Sequence, residues 1–234
     1  MTRGTLFGLG VGPGDPELIT LKAHRLLTTV PVVAYPAPEH GDSLARSIVA
    51  SFLSPEQTEI AIRMPLDLNR FPVEAVYDQA AIDIAEHLDA GRDVAAICEG
   101  DPFFYGSFMY LFQRLIDDFD VEVVPGVSSV MACAAEAGMP LGERTDVITI
   151  LPASLSEIDL ENKLRDTDTA VIMKVGRHLS KVRTIVERLG LIAEACYVER
   201  ATLPEQRIIP LAEISDDAAP YFSMILVQSN GGRS

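Results

Sequence analysis

The chain has 234 residues, 48% of them hydrophobic, enough for one large domain or two smaller ones with a real core. Its 34 acidic and 19 basic residues leave a net charge of −15, which argues against a nucleic-acid partner because phosphate binding needs a basic face. No apolar run approaches the roughly 20 residues that span a bilayer and no basic leader opens the chain, so the expectation is a cytoplasmic protein that does not enter a membrane.

Leu6 to Gly14 is a short apolar strand interrupted by Gly8, Gly10, Gly12 and Gly14. Gly14-Asp15-Pro16 then turns the backbone into a segment with helical spacing from Leu18 to Thr28, and Pro31 to Tyr35 reads as a second strand. The chain therefore begins β-α-β. Ser43 to Leu53 reads as a short helix, Glu59 to Ile62 as a strand, and Pro65 to Pro72 as a loop containing Asp67 and Arg70, with Arg63 close by. Val76, Ala80, Ile84 and Leu88 form the core stripe of a helix that Gly91 stops.

Asp93 to Cys98 is an apolar run of the kind buried on both faces of a parallel sheet. It leads into Glu99-Gly100-Asp101-Pro102-Phe103-Phe104-Tyr105-Gly106 and the helix Phe108 to Ile116, so Gly-Asp-Pro recurs between a strand and a helix. Ligands of open parallel sheets collect at the carboxyl ends of the strands, so the two turns are expected to face one crevice. Val121 to Val124 is the next strand, and Pro125-Gly126-Val127-Ser128-Ser129 opens a small-residue helix ended by Gly138.

Beyond Pro140 the pattern is plainer. Strands are expected at Val147–Leu151, Ala170–Val175, Ala195–Glu199, Arg207–Pro210 and Phe222–Gln228, with helices at Ser156–Leu164 and Leu179–Leu189 and a frayed tail over the last six residues. The boundary drawn from this change separates residues 1–125 from 126–234. Cys98, Cys133 and Cys196 are odd in number and sit among apolar residues, which reads as buried reduced thiols. His24, His40, His87 and His178 show no ligand spacing, and no metal site is expected.

The common nucleotide fingerprints fail. A dinucleotide loop from Gly8 or Gly10 would need glycine where Pro13 or Asp15 stands, a P-loop would need Lys and Ser or Thr after Gly14 where Asp15-Pro16 stand, and Gly126-Val127-Ser128 does not continue as a nucleophile elbow. Asp15 would also repel phosphate. What remains is a set of strand ends carrying glycine, aspartate, serine and backbone groups, compatible with a reactive ligand that needs only alignment and exclusion of water, such as the sulfonium S-adenosylmethionine.

Four blocks carry a resemblance. Gly8-x-Gly10-x-Gly12-Pro13-Gly14-Asp15-Pro16 with Thr20 and Lys22-Ala23, Gly100-Asp101-Pro102-x-x-Tyr105, Pro125-Gly126-x-Ser128-Ser129, and Glu199-Arg200-x-Thr202 with Gln206 resemble, in order, the signatures of the tetrapyrrole (corrin and porphyrin) methyltransferases. Glu99, Phe103-Phe104-Tyr105 and the block from Tyr197 to Ile208 resemble most the branch that methylates precorrin-2 at C20 in cobalamin biosynthesis. The resemblance implies two α/β domains with a ligand cleft between them, a homodimer, S-adenosyl-L-methionine as methyl donor and a tetrapyrrole as substrate. The rivals are the cobalt-loaded substrate, another corrin-pathway methyltransferase, a regulatory protein binding a nucleotide-like ligand without chemistry, and a dehydrogenase.

Carried over by position, the donor contacts implied are Pro13, Glu99, Gly100, Asp101, Phe104, Ser128, Ser129, Lys174, Val175, Ala201, Ser223 and Met224. Lys174 departs from the aromatic residue usual there. Gly14, Asp15, Tyr35, Arg63 and Arg177 are candidate substrate contacts, with Arg70, His178 and Arg207 as further anchors for its carboxylates. Glu99, Asp101 and Tyr105 are candidates for acid–base work by location. Each has a plainer reading beside it: Glu99 holds the donor or caps the following helix, Asp101 bonds nearby backbone N–H groups, Tyr105 stacks on the macrocycle or fills the core, and the two serines cap a helix.

Overall fold

A computed structural model describes residues 2–64 and 73–229, without the side chain of Val73. The expected loop at 65–72, with Asp67 and Arg70, and the last five residues of the expected tail lie outside the described residues. Ser229 is not frayed: its N–H donates to the Asp168 carbonyl at 2.9 Å and its hydroxyl donates to the Thr167 carbonyl. The chain divides into two compact units, Met1–Ser128 and Ser129–Ser234. Among the described residues no helix is long and apolar enough to cross a membrane.

The first unit is built on a parallel sheet of β1 (Leu6–Gly10), β2 (Val32–Pro38), β3 (Thr58–Met64), β4 (Val94–Cys98) and β5 (Val121–Val124), in the order β3-β2-β4-β1-β5. β4 is buried along its whole length, and its alternation serves two cores. Val94, Ala96 and Cys98 pack with α3 (Val73–Asp89) and α4 (Phe108–Leu115), while Ala95 and Ile97 pack with α1 (Leu21–Leu27) and α2 (Leu44–Ile48). Gly8 leaves room for the Phe108 ring, whose nearest atom would lie 2.4 Å from any Cβ added there.

Two expected helices are shorter than their apolar spacing. Asp15 caps a 3-10 turn at Pro16–Leu18, Ile19 is extended, and Thr20 accepts the Ala23 N–H as the N-cap, so α1 starts only at Leu21. The Ser43–Leu53 segment likewise breaks at Val49, leaving the five-residue α2 and a 3-10 turn at Ala50–Phe52. By contrast Gly91, at φ +75°, ends α3 as expected.

The second unit carries β6 (Ile148–Pro152), β7 (Thr169–Met173), β8 (Ala195–Glu199), β9 (Arg207–Pro210) and β10 (Ser223–Gln228), in the order β6-β7-β10-β8-β9. Only β6 and β7 are parallel; β10 runs antiparallel to β7 and β8, and β8 to β9. α6 (Glu157–Arg165) and α7 (Leu179–Arg188) bury Leu160, Leu164, Val182, Ile185 and Val186 against Ala170, Ile172, Tyr197, Ile225 and Val227. α5 (Ser129–Ala137) starts at the second of the paired serines. The expected strand to Val175 ends instead at Met173, because Lys174 turns left-handed at φ +57°. All three cysteines are free; Cys98 and Cys133 are buried as expected and Cys196 is only half-buried, and burial pushes the Cys133 thiol up to about 12.

Candidate functional site

The connection leaving β1 runs through α1 to β2, on one side, and the connection leaving β4 runs through α4 to β5, on the other. α1 and α4 lie on opposite faces of the sheet. The switch point thus falls between the carboxyl ends of β1 and β4, where open α/β sheets take their ligands. The residues standing there are Gly10 to Asp15 and Glu99 to Phe104, the two Gly-Asp-Pro turns.

The structure brings these turns together through backbone. Gly12 and Gly100 exchange hydrogen bonds, the Gly100 N–H donating to the Gly12 carbonyl at 2.8 Å and the Gly12 N–H to the Gly100 carbonyl at 3.4 Å. The third loop joins them at Gly126. A Cβ on Gly10 would lie 2.5 Å from the Gly100 oxygen, and one on Gly126 would lie 2.0 Å from the same atom. The glycines are therefore there for close packing of three strand-end loops.

Asp101 ties two of those loops. Its Oδ1 accepts the Phe103 and Phe104 N–H groups at 2.9 and 3.1 Å, and its Oδ2 accepts the Gly126 N–H at 3.0 Å. Of the two roles anticipated for Asp101, this is the structural one. Asp15 does a similar local job, its Oδ1 accepting the Glu17 N–H at 2.8 Å. Gly14 beside it is buried and Pro13 is half-buried.

Glu99 faces the α1/α2 side, as the alternation of β4 requires. Its Oε1 accepts the Ala45 N–H at 3.1 Å, so the helix it caps is α2 and not the one that follows it in sequence. Burial pushes its carboxyl above the ordinary carboxylate range, opposed by the backbone N–H groups of Glu99 and Ala45, which favour the ionised form. A raised carboxyl gives stability that is full below the unfolded value and is lost as pH rises through the folded one. Glu99→Gln, neutral at every pH and still an acceptor, is therefore expected to gain in melting temperature over the parent protein as pH goes from about 5 to about 8, with no gain near pH 4. Thermal melts across that range read it; a difference that stays flat with pH contradicts the assignment.

Tyr35 stands on β2 within the α1/α2 core. Its phenol is pushed up by burial and by a hydrogen bond with Glu59, which is itself gripped by Arg46 through Nε at 2.6 Å and a second nitrogen at 2.8 Å. That engagement gives Tyr35 a structural task beside the expected substrate contact. Arg63, on the edge strand β3, donates to the Pro38 carbonyl at 3.0 Å. Tyr105 does not fill the core: it is 46% exposed, left-handed at φ +56°, and edge-on to the Phe104 ring at 5.3 Å between centroids. Ser128 closes the first unit and Ser129 begins the second.

In the second unit the expected positions gather at one end of the three central strands of the sheet. Lys174 follows β7, Ala201 follows β8 with Arg200 before it, a residue not among those expected, and Ser223 and Met224 begin the antiparallel β10 that lies between those strands. Val175, Ala201, Ser223 and Met224 are buried; Lys174 and Arg177 are exposed. Lys174, Arg200 and Thr202 are all left-handed non-glycine residues, at φ +57°, +49° and +68°. Such conformations cost about 1–3 kcal/mol each and persist only where the surroundings enforce them.

Sequence reasoning missed the groups that hold this end. The Tyr197 hydroxyl donates to Glu199 at 2.7 Å, the Arg200 N–H donates to the Phe222 carbonyl at 2.8 Å, and Gln206 accepts the Thr202 N–H while donating to Glu136 on α5 at 2.7 Å. Tyr197, Glu199, Arg200, Thr202 and Gln206 stand inside the late signature block, which was the available signal; Glu136 and Phe222 carry none.

A doubly wound sheet with glycine-packed loops at its switch point, and a second unit with three left-handed residues beyond the ends of its central strands, define an α/β protein of two compact units. The chain belongs to the Tetrapyrrole (Corrin/Porphyrin) Methylases, whose family profile matches residues 5–215. It is 42% identical over 232 residues to a precorrin-2 C(20)-methyltransferase of Sinorhizobium sp, covering 96% of this chain and 95% of that protein. It is 36% identical over 229 residues to the cobalt-precorrin-2 C(20)-methyltransferase of Salmonella typhimurium, covering 96% of each. The cobalamin biosynthesis protein CobIJ of Mycobacterium tuberculosis is 43% identical over 239 residues, 99% of this chain, and the chain spans only 47% of that protein's length. Among solved structures, a uroporphyrin-III C-methyltransferase of Thermus thermophilus complexed with S-adenosylhomocysteine superposes with a TM-score of 0.71 at 26% identity, covering 97% of this chain and 98% of that one. The cobalt-precorrin-4 methyltransferase CbiF, at 24% identity and covering 96% and 94%, shares the fold with a TM-score of 0.78.

Proposed function

We propose that this protein transfers a methyl group from S-adenosyl-L-methionine to C20 of precorrin-2 in cobalamin biosynthesis. The observation that carries the reading is the end-to-end 42% identity with the Sinorhizobium precorrin-2 C(20)-methyltransferase. The loops at the switch point of the first unit support it, since they offer close-packed backbone and small side chains to a ligand that brings its own reactivity. Similarity to the Salmonella protein favours, as a second reading, the cobalt-containing substrate.

The donor supplies an electrophilic methyl on a sulfonium, and the attacking C20 then loses a proton. This chain's residues align the partners and exclude water. In the first unit we assign donor contact to Pro13, the backbone of Gly100 to Phe104, and Ser128; in the second, to Ser129, Lys174, Val175, Ala201, Ser223 and Met224. Gly14, Asp15, Arg63 and Arg177 are assigned to the substrate, and the exposed Tyr105 ring to its flat face. Cytoplasmic location and a homodimer belong to the same proposal.

Titration calorimetry with S-adenosylhomocysteine tests the donor, with saturable binding expected and no binding by the folded protein overturning the reading. Incubation with methyl-labelled donor and metal-free precorrin-2 or its cobalt complex tests the rest. Label at C20 of the metal-free compound is expected. Label at C2 or C7 would contradict the C20 assignment, and transfer only to the cobalt complex would select the second reading.

A further inference from the structure

α2 has five residues, too few to hold a helix by itself, so its place must come from ties to the rest of the unit. Burial of Ala45 and Ile48 and three polar ties supply it. Arg46 grips Glu59 on β3, the Ser43 hydroxyl donates to the Pro36 carbonyl on β2 at 2.6 Å, and Glu99 at the end of β4 accepts the Ala45 N–H. The second and third bridge a split in the sheet. β2 pairs with β3 along its whole length to Pro38, yet its pairing with β4 stops at Ala34 and Ala96, although both strands continue. Pro36 has no N–H for the ladder, and its carbonyl turns to Ser43 instead.

The split opens at the carboxyl end of the sheet, beside the switch point. The segment leaving β2 there, residues 39–42, is exposed and pivots on Gly41 at φ +101° before Ser43 starts α2. The Ser43 and Glu99 ties fasten the end of α2 that this segment enters, beside the burial of Ala45.

We propose that Glu99 is a positioning residue: through the Ala45 N–H it holds the N terminus of α2 across the β2–β4 split, and so sets the 39–42 segment as a wall of the tetrapyrrole site. The role rests on the methyltransferase reading, and the latch itself does not. Glu99→Gln keeps a side-chain oxygen for Ala45, Glu99→Ala removes it, and Ser43→Ala loosens the same end of α2 without touching Glu99.

Hydrogen exchange on the unliganded protein is expected to show the Ala45 amide of Glu99→Ala exchanging about tenfold faster, with protection restored in Glu99→Gln. In methyl transfer, Glu99→Ala is expected to raise KM for the tetrapyrrole about tenfold with kcat within about threefold, Ser43→Ala to raise KM in the same direction, and Glu99→Gln to recover most of the loss. Unchanged exchange at Ala45 in Glu99→Ala overturns the latch, whatever the protein catalyses. Faster exchange with unchanged KM overturns the positioning role, and so does a fall in kcat shared by the alanine and glutamine variants at constant KM, which would mark proton transfer. Absence of turnover by the parent protein overturns the methyltransferase reading and the positioning role with it, while exchange alone still decides the latch.

Discussion

Asp101→Ala is expected to destabilise the first unit by about 3 kcal/mol, because hydrogen bonds to a charged acceptor contribute about 1.5–3 kcal/mol each and three backbone donors lose theirs at once. The three do not add in full. Asp101 and its surroundings are partly exposed, so water takes over some of what the carboxylate held. The effect on activity is expected to be larger than on stability. Once Oδ2 no longer accepts the Gly126 N–H, the second and third loops are free to shift, and misplacement by about 1 Å costs about 100-fold in rate. Asp101→Asn keeps one acceptor oxygen but turns an NH2 toward a backbone N–H, so it should fall between the parent and the alanine variant in both measures. Urea unfolding followed by the labelled-donor assay reads both. A loss of stability below about 1 kcal/mol for the alanine variant would mean the three bonds are not the staple their geometry describes.

Gly126→Ala should be more severe for the fold. Its Cβ would stand 2.0 Å from the Gly100 oxygen and 2.8 Å from the Gly10 Cα, and all of these are backbone atoms that cannot rotate away. Overpacking costs about 1–3 kcal/mol where side chains yield, and more is expected here, above about 3 kcal/mol. Gly190→Ala is the contrasting case. Gly190 sits at φ +74° with nothing within 4 Å of the added Cβ, so only the left-handed conformation is penalised, about 1–2 kcal/mol. Chemical denaturation of the two variants side by side separates steric from conformational glycines. Equal losses would contradict the distinction.

Much of the fold was legible because its signals are local. The buried run ending in Cys98, the four-residue spacing that ends at Leu88 and the Gly91 that stops that helix each report their element within one stretch of chain. Failures came where local and tertiary preferences compete. Apolar spacing ran through Ile19 and Val49, but capping by Asp15 and Thr20 and the break at Val49 decided the real boundaries. Signature blocks named candidate site residues but not their partners: Glu99, expected to hold the donor or to cap the helix that follows it, reaches Ala45 on α2 instead of that helix, and Tyr105 stood between two readings.

By itself the sequence determined the parallel first sheet, the two Gly-Asp-Pro turns at its strand ends and the glycines that let backbone approach backbone, because composition and period act over a few residues. Only the tertiary structure decided what those turns are fastened to. Glu99 finds Ala45 across 54 residues, and Asp101 finds Gly126 across 25. Lys174, Arg200 and Thr202 adopt left-handed backbones that their residue types would not by themselves choose. Such pairings and strains arise from how distant strand ends meet, and no periodicity along the chain encodes them.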